Sequence, residues 1–85
     1  MNEERFIEIM EENFHFAFIE DDPAVLGLLL IRKYIPKAGI EGTNHEMIVS
    51  ASVERLVKAG ITEEDAKNLR NLNWMITDGH LACFV

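Results

Sequence analysis

The chain has 85 residues, a net charge of −7 and one cysteine, and 48% of its residues are hydrophobic. That length and composition predict one folded domain with a modest core and exclude a disordered chain. A single cysteine forms no internal disulfide, so we expect a reducing, cytoplasmic location. Because the protein is acidic, we expect a protein partner or self-association, with nucleic acid disfavoured.

The apolar segments are too short to cross a membrane. The longest one, 24–31, falls well below the roughly 20 residues that a transmembrane helix needs. The acidic start, Asn2-Glu3-Glu4, lacks the positive charge that begins a signal peptide. We therefore expect no contact with a membrane.

The negative charge is concentrated at the beginning of the chain. Residues 1–22 contain eight acidic side chains and one base, Arg5, whereas residues 23–85 contain seven acids and seven bases. The whole net charge therefore belongs to the first 22 residues, and any binding that depends on it should involve them.

The first predicted element is an amphipathic helix over residues 3–19. Its apolar stripe recurs at helical spacing and consists of Phe6, Ile9, Met10, Phe14 and Ala17. The opposite side carries the acidic candidates for partner binding, Glu4, Glu8, Glu11 and Glu12. This acidic face is plain solvent-facing surface, a mimic of nucleic-acid charge, or a docking surface for a basic groove on another protein.

The second predicted helix runs from Pro23 to about Tyr34, with Asp22 as its N-cap. Its apolar residues surround nearly the whole helix, so we expect it at the centre of the core. Gly27 should allow a neighbouring element to approach closely. Together with the first helix, it forms a predicted helix pair within residues 1–36.

Residues 36–44 predict a loop, because they contain a proline, two glycines and a Thr-Asn pair. The following residues, 45–50, allow either a strand or the start of a helix with Thr43 and Glu46 as a capping box. We favour a strand at 46–50, followed by a helix at 53–59 that Ser52 caps.

A tight turn then leads into a helix at 62–72. Gly60 is a typical residue to follow a helix, and Thr62 is a typical N-cap. The predicted buried stripe is Ala66, Leu69 and either Leu72 or Asn73. The residues predicted to face outward, which would contact DNA if this were a recognition helix, are Lys67, Asn68, Arg70 and Asn71.

The last predicted element is a β-hairpin with Asp78-Gly79 as its turn. A two-residue turn pairs Thr77 with His80 and Trp74 with Cys83. Met75 and Phe84 then lie on the same face of the hairpin, opposite the face of Trp74. Both faces are apolar there, so either helices cover both or the Met75/Phe84 side is open for a partner.

The turn between the last two helices resembles the helix-turn-helix pattern G-[VI]-[ST]-x-x-x-[AV]-x-x-L. The matching residues are Gly60, Ile61, Thr62, Ala66 and Leu69. With the preceding strand and the hairpin, the order of elements in residues 45–85 is similar to that of a winged helix. The resemblance implies DNA binding through helix 62–72, although the acidic residues 63–65 occupy the turn that usually meets the bases.

The same region also resembles small acidic proteins of phage and mobile-element type. These carry an H-[DE]-x-[IV] strand, an E-E-D helix and a terminal aromatic-Val strand. The matching residues are His45, Glu46, Ile48, Glu63, Glu64, Asp65, Trp74, Phe84 and Val85. This resemblance implies no activity.

No pattern in the sequence predicts catalysis, a metal site or a cofactor. His15, His45 and His80 are far apart and have no cysteine beside them. Cys83 falls on the predicted core face of its strand, where a small buried side chain is expected. Thr43, Ser50 and Ser52 are interpreted as caps rather than nucleophiles.

We therefore predict a single α+β domain, in which an N-terminal helix pair packs on a winged-helix-like unit of a short strand, two helices and a C-terminal β-hairpin. The predicted function is that of a non-catalytic protein-interaction module, an accessory or inhibitory factor of phage or mobile-element origin. The alternative is a winged-helix transcription regulator that binds DNA through helix 62–72.

Overall fold

The computed structural model describes residues 1–12, 21–44 and 46–84. It has an α+β fold, as predicted. The elements in these residues are α1 (Glu3–Glu11), α2 (Pro23–Tyr34), β1 (Gly42–Asn44), β2 (Met47–Ser52), α3 (Val53–Lys58), α4 (Glu63–Asn71), β3 (Trp74–Thr77) and β4 (His80–Phe84). Two N-terminal helices are thus followed by two strands, two further helices and a C-terminal hairpin.

The strands form one antiparallel sheet in the order β1-β2-β4-β3. The predicted hairpin register is confirmed, with Thr77 opposite His80 and Trp74 opposite Cys83. Asp78 and Gly79 both have positive φ angles, 49° and 74°, as a two-residue turn of this kind requires. The strand before α3 pairs with β4, which places the last strand between β2 and β3.

The core lies between the helices and one face of the sheet. Each of the four helices contributes to it, α1 through Phe6 and Ile9 and α4 through Ala66 and Leu69. Trp74 of β3 is fully buried, and its indole Nε1 donates a hydrogen bond to the carbonyl oxygen of Pro23 at 2.9 Å. α1 packs mainly against α3, α4 and β3, whereas α2 packs against the sheet and α4.

Side-chain caps begin the helices where the sequence predicts them. The side chain of Asp22 accepts a hydrogen bond from the backbone of Ala24 at 2.9 Å, Ser52 from Arg55 at 3.2 Å and Thr62 from Asp65 at 3.1 Å. Gly60, with φ of 89°, allows the turn between α3 and α4. These local signals fix the starts of α2, α3 and α4 to within one residue of the prediction.

The prediction of one continuous helix over 3–19 is wrong, because α1 ends at Glu11. Glu12 has φ of −74° and ψ of 123°, which is extended backbone, so it does not continue the helical face of Glu4 and Glu8. The rest of that prediction, residues 13–19 with Phe14 and Ala17, lies outside the described residues. His45 and Val85 also lie outside them.

The prediction of a loop throughout 36–44 is also wrong, because Gly42–Asn44 forms the edge strand β1. It pairs with β2, Gly42 opposite Val49 and Asn44 opposite Met47. The chain reverses between the two strands with Glu46 at φ of 67°. Of the two alternatives for the residues after the loop, the structure confirms the strand and not a helix that begins with a capping box at Thr43 and Glu46. This strand extends over 47–52 rather than 46–50.

The expectation that α2 lies at the centre of the core holds for one side of the helix only. Ala24, Gly27 and Ile31 are buried, but Val25 and Leu29 expose 53% and 59% of their surface. The prediction that Gly27 permits a close approach is confirmed, because the indole ring of Trp74 lies directly against it. A Cβ atom on Gly27 would lie 1.8 Å from the indole Nε1.

Candidate functional site

The acidic residues of the N-terminus lie on the outward side of the molecule. Phe6, Ile9 and Met10 bury one face of α1, and helical geometry therefore turns Glu4, Glu8 and Glu11 toward solvent. These three and Glu12 are all exposed. Three of the four predicted acidic candidates thus share the outward face of α1, and Glu12 follows at its end.

Arg5, the lone base among the first 22 residues, is committed to contacts within the protein. Its Nη1 pairs with Glu8, while its Nη2 donates to Oε1 of Glu63 on α4 at 2.9 Å. The hydrogen bond from Arg5 holds the pKa of Glu63 below its ordinary value. Arg5 therefore joins α1 to α4.

The described structure gives no ion-pair partner to Glu4, Glu11 or Glu12. Their carboxylates are also exposed, so a positively charged surface can approach them. We call Glu4, Glu8, Glu11 and Glu12 the acidic surface.

The acidic surface and the predicted hairpin surface meet at Glu11. A shallow cavity of about 290 Å³ lies there, and its described lining consists of Met10, Glu11, Met75 and Ile76. Met75 is half-buried, and Phe84, on the same face of the β3–β4 ladder, is 45% exposed. The cavity therefore places Glu11 of the acidic surface beside Met75 of the predicted hairpin surface, and Phe84 is not among its described lining residues.

The four predicted DNA-contacting residues do lie on α4, but they are not equally accessible. Lys67, Asn68 and Asn71 are exposed. Arg70 is half-buried, and its Nη1 donates a hydrogen bond to the carbonyl oxygen of Ile9 at 3.2 Å. The side chain of Asn68 donates to Asp65 Oδ1 at 3.3 Å. Arg70 thus helps to fix α1 beside α4.

The acidic first turn of α4 is tied to other helices. Asp65 accepts a hydrogen bond from the hydroxyl of Tyr34, and Lys33 Nζ lies 3.0 Å from its Oδ2. These two contacts, with that of Tyr34 the stronger, hold the pKa of Asp65 below its ordinary value. Since Glu63 holds Arg5, two of the three acidic residues of this turn connect helices.

The candidate nucleophiles have structural roles. Cys83 is buried, as predicted, and burial raises the pKa of its thiol to about 11. The interpretation of Ser50 as a cap is wrong, because its buried hydroxyl lies within β2 and donates to the carbonyl oxygen of Gly39 at 2.8 Å. Thr43 likewise lies in β1 and not at the start of a helix.

Sequence reasoning missed one surface, the outward side of α2. The apolar residues of this helix follow no clear period, so the sequence does not show which side faces the sheet. The signal that distinguishes the sides is Gly27, because the side chain of Trp74 needs that glycine and so fixes the buried face.

Among residues 1–12, 21–44 and 46–84, no group of three histidine, cysteine or acidic side chains could hold a metal ion. None of the helices in the same part of the chain is long and apolar enough to cross a membrane. His80 is half-buried, and its Nδ1 lies 3.0 Å from the carbonyl oxygen of Asp78 in the hairpin turn. Comparison of the chain with protein-family models, curated proteins and solved structures gave no match.

Proposed function

We propose that this protein is a non-catalytic interaction module that binds a positively charged surface on another protein. The observation that carries the proposal is the junction at Glu11, where the acidic surface adjoins the cavity beside Met75. A basic side chain of the partner would meet the carboxylates, and an adjacent apolar side chain would enter the cavity. Charge and shape together favour such a partner over a uniformly charged polymer.

The contacts of Arg5 support this proposal. A surface whose acidic residues were neutralised within the protein would have little attraction for a partner. Here Arg5 is shared between Glu8 and Glu63, and no basic side chain among residues 1–12, 21–44 and 46–84 forms an ion pair with Glu4 or Glu11. An accessory or inhibitory role fits such a module, because an accessory or inhibitory protein without catalytic activity acts by covering part of its partner's surface. Its origin in a phage or mobile element stays a prediction.

The proposal is tested by removing the charges that form no ion pair within the described part of the chain. In the variant Glu4→Gln, Glu11→Gln, Glu12→Gln, the Arg5–Glu8 and Arg5–Glu63 pairs are left intact. We expect affinity for a Lys/Arg-rich peptide that also carries leucines to fall about tenfold, since three exposed charge contacts each contribute modestly. Fluorescence anisotropy with the labelled peptide at about 0.15 M salt measures the change.

The matched control removes three exposed charges from other surfaces, Glu46→Gln, Glu64→Gln and Asp78→Asn. Its net charge equals that of the first variant, so a loss of general electrostatic attraction would weaken both equally. Equal weakening, or no peptide binding by the wild type, would contradict the proposal. Capture from a cell lysate with both variants then selects the proteins that need the acidic surface.

The second candidate, a winged-helix transcription regulator, is favoured by the order of elements in residues 47–84. The environment of α4 opposes it. Arg70 is hydrogen-bonded to the carbonyl oxygen of Ile9, and α1 packs alongside α4. The first turn of α4 also contains the acidic residues Glu63 and Asp65. If α4 reads DNA, a duplex should be retained at low salt and Lys67→Glu should release it. No binding of a duplex at about 50 mM salt excludes this candidate.

A further inference from the structure

The outward side of α2 is apolar at its middle. Val25 and Leu29, one helical turn apart, expose 53% and 59% of their surface, and Leu26 beside them is half-buried. Ala24, Gly27 and Ile31 already face the interior, so these exposed residues add nothing to the core of one copy of the protein. Such a face on a well-capped helix is typical of a contact surface.

Opposite charges lie at the two ends of this face. Asp21 and Asp22 precede the helix, Arg32 and Lys33 occupy its last turn, and all four are exposed. Each pair complements the dipole of its own helix, and this alone accounts for their presence in many helices. The same arrangement also makes the face complementary to itself when two copies run antiparallel.

The spacing of these residues fits a two-fold axis at the height of Gly27. In an antiparallel pair, a residue that lies a given number of positions before Gly27 in one copy faces the residue that lies the same number of positions after Gly27 in the other copy. Val25 then faces Leu29, and Asp22 faces Arg32, with every contact made twice. Asp21 faces Lys33 in the same register, although Lys33 is already paired with Asp65 at 3.0 Å.

Asp22 and Arg32 each retain groups for such a contact. Asp22 uses Oδ1 to cap Ala24, and no donor among the residues that the structure describes is bonded to its second oxygen. Arg32 donates its Nε to the carbonyl oxygen of Pro36 at 3.0 Å, and its two terminal nitrogens make no hydrogen bond to any other residue that the structure describes. A guanidinium has five N–H groups, so the donors on its two terminal nitrogens remain for a partner.

We propose that α2 pairs with α2 of a second copy of this chain in an antiparallel, two-fold dimer. Val25 and Leu29 form its apolar centre, and Asp22 and Arg32 form the flanking ion pairs. This surface is separate from the acidic surface, so the dimer and the proposed function stand independently. Because one 12-residue helix contributes less area than a standard interface of about 1,600 Å², the dimer is weak, with Kd of about 0.1 mM.

Sedimentation equilibrium of the full chain from about 10 µM to about 1 mM tests the proposal. We expect the apparent mass to rise from 9.7 kDa toward twice that value. Leu29→Glu should keep the protein monomeric throughout, with an unchanged circular dichroism spectrum because Leu29 is exposed. Ile40→Glu is the matched control, since Ile40 is 58% exposed but lies outside α2, and it should dimerise like the wild type.

The ion pairs are tested by Arg32→Glu, which places a carboxylate opposite Asp22 of the second copy. We expect the dimer to weaken about tenfold or more. Lys37→Glu makes the same change of charge at an exposed residue beyond α2 and should leave Kd unchanged.

Three outcomes overturn the proposal. A monomer at every concentration means that α2 does not self-associate. The Val25/Leu29 face would then be left to solvent, to another protein or to residues 13–20 of the same chain. A dimer that tolerates Leu29→Glu uses another surface. A dimer that Leu29→Glu abolishes and Arg32→Glu leaves unchanged is not paired in the antiparallel register.

Discussion

At the scale of single residues, Gly27 determines how α2 meets the sheet. The indole of Trp74 occupies the space where any other residue would place its Cβ, and the same indole bonds to Pro23. We expect Gly27→Ala to lower the free energy of unfolding by about 1–3 kcal/mol, because the ring must move. The better helix propensity of alanine offsets at most about 1 kcal/mol of that loss.

Urea unfolding measures this difference, and the fluorescence of Trp74, the one tryptophan of the chain, should shift to the red as its packing loosens. Gly39→Ala is the control, because nothing lies within 4 Å of the Cβ that it would add. It should change stability by less than about 0.5 kcal/mol. Equal effects of the two substitutions would show that the contact with Trp74 does not restrict position 27.

Asp65 should make stability depend on acid pH. Folding lowers the pKa of Asp65 below its ordinary value of 3.8. The ionised carboxylate therefore stabilises the fold when the pH is above 3.8. That contribution is lost as the pH falls through the lower pKa of the folded state. We expect Asp65→Asn to cost about 1 kcal/mol at pH 7, where the hydrogen bond from Tyr34 is weakened, and less near pH 2.

The measurement is the free energy of unfolding in urea at both pH values. Asp78→Asn, in the exposed hairpin turn, serves as control for the loss of one carboxylate. If Asp65→Asn and the wild type lose the same stability on acidification, the contact with Tyr34 and Lys33 contributes nothing to it.

At the scale of secondary-structure elements, α1 offers two isoleucines with opposite surroundings. Ile9 is fully buried among the helices, whereas Ile7 is 37% exposed between the glutamates. We expect Ile9→Ala to cost about 2–5 kcal/mol and Ile7→Ala less than about 1 kcal/mol. Thermal unfolding followed by circular dichroism compares them, and similar losses would mean that α1 does not dock through its Phe6/Ile9 face.

The elements that the sequence predicts well are those with signals in neighbouring residues. Asp22, Ser52 and Thr62 cap helices through backbone groups two or three positions away, so their effect is independent of the rest of the fold. The Asp78-Gly79 turn sets the hairpin register in the same way. The outward positions of Glu4, Glu8 and Glu11 were also predictable, because the Phe6/Ile9 stripe fixes which side of α1 faces solvent.

The elements that the sequence predicts poorly depend on distant residues. β1 is a three-residue strand in which Gly42 and Asn44 disfavour strand structure, and it exists because β2 supplies its hydrogen-bonding partners. Which side of α2 faces outward depends on the contact of Gly27 with Trp74, which is nearly 50 residues away in the sequence. The junction at Glu11 likewise depends on the packing of α1 beside β3, which no local pattern reveals.

At the scale of the whole molecule, Cys83 reports on global opening. It is the one cysteine of the chain, it is buried, and its pKa is raised to about 11. We therefore expect alkylation by iodoacetamide at pH 8 to require unfolding and to be far slower than in urea. Ile9→Ala should accelerate it in proportion to its loss of stability, whereas rapid alkylation of the native wild type would contradict the burial of this thiol.

The position of β4 has a consequence for synthesis. It is the last strand in the sequence, yet it lies between β2 and β3 and pairs with both. A nascent chain that has reached only Thr77 therefore leaves β2 and β3 without their shared neighbour, and β2 presents an open edge that other chains can pair with. Translation must therefore place His80–Phe84 outside the ribosome before this sheet can close.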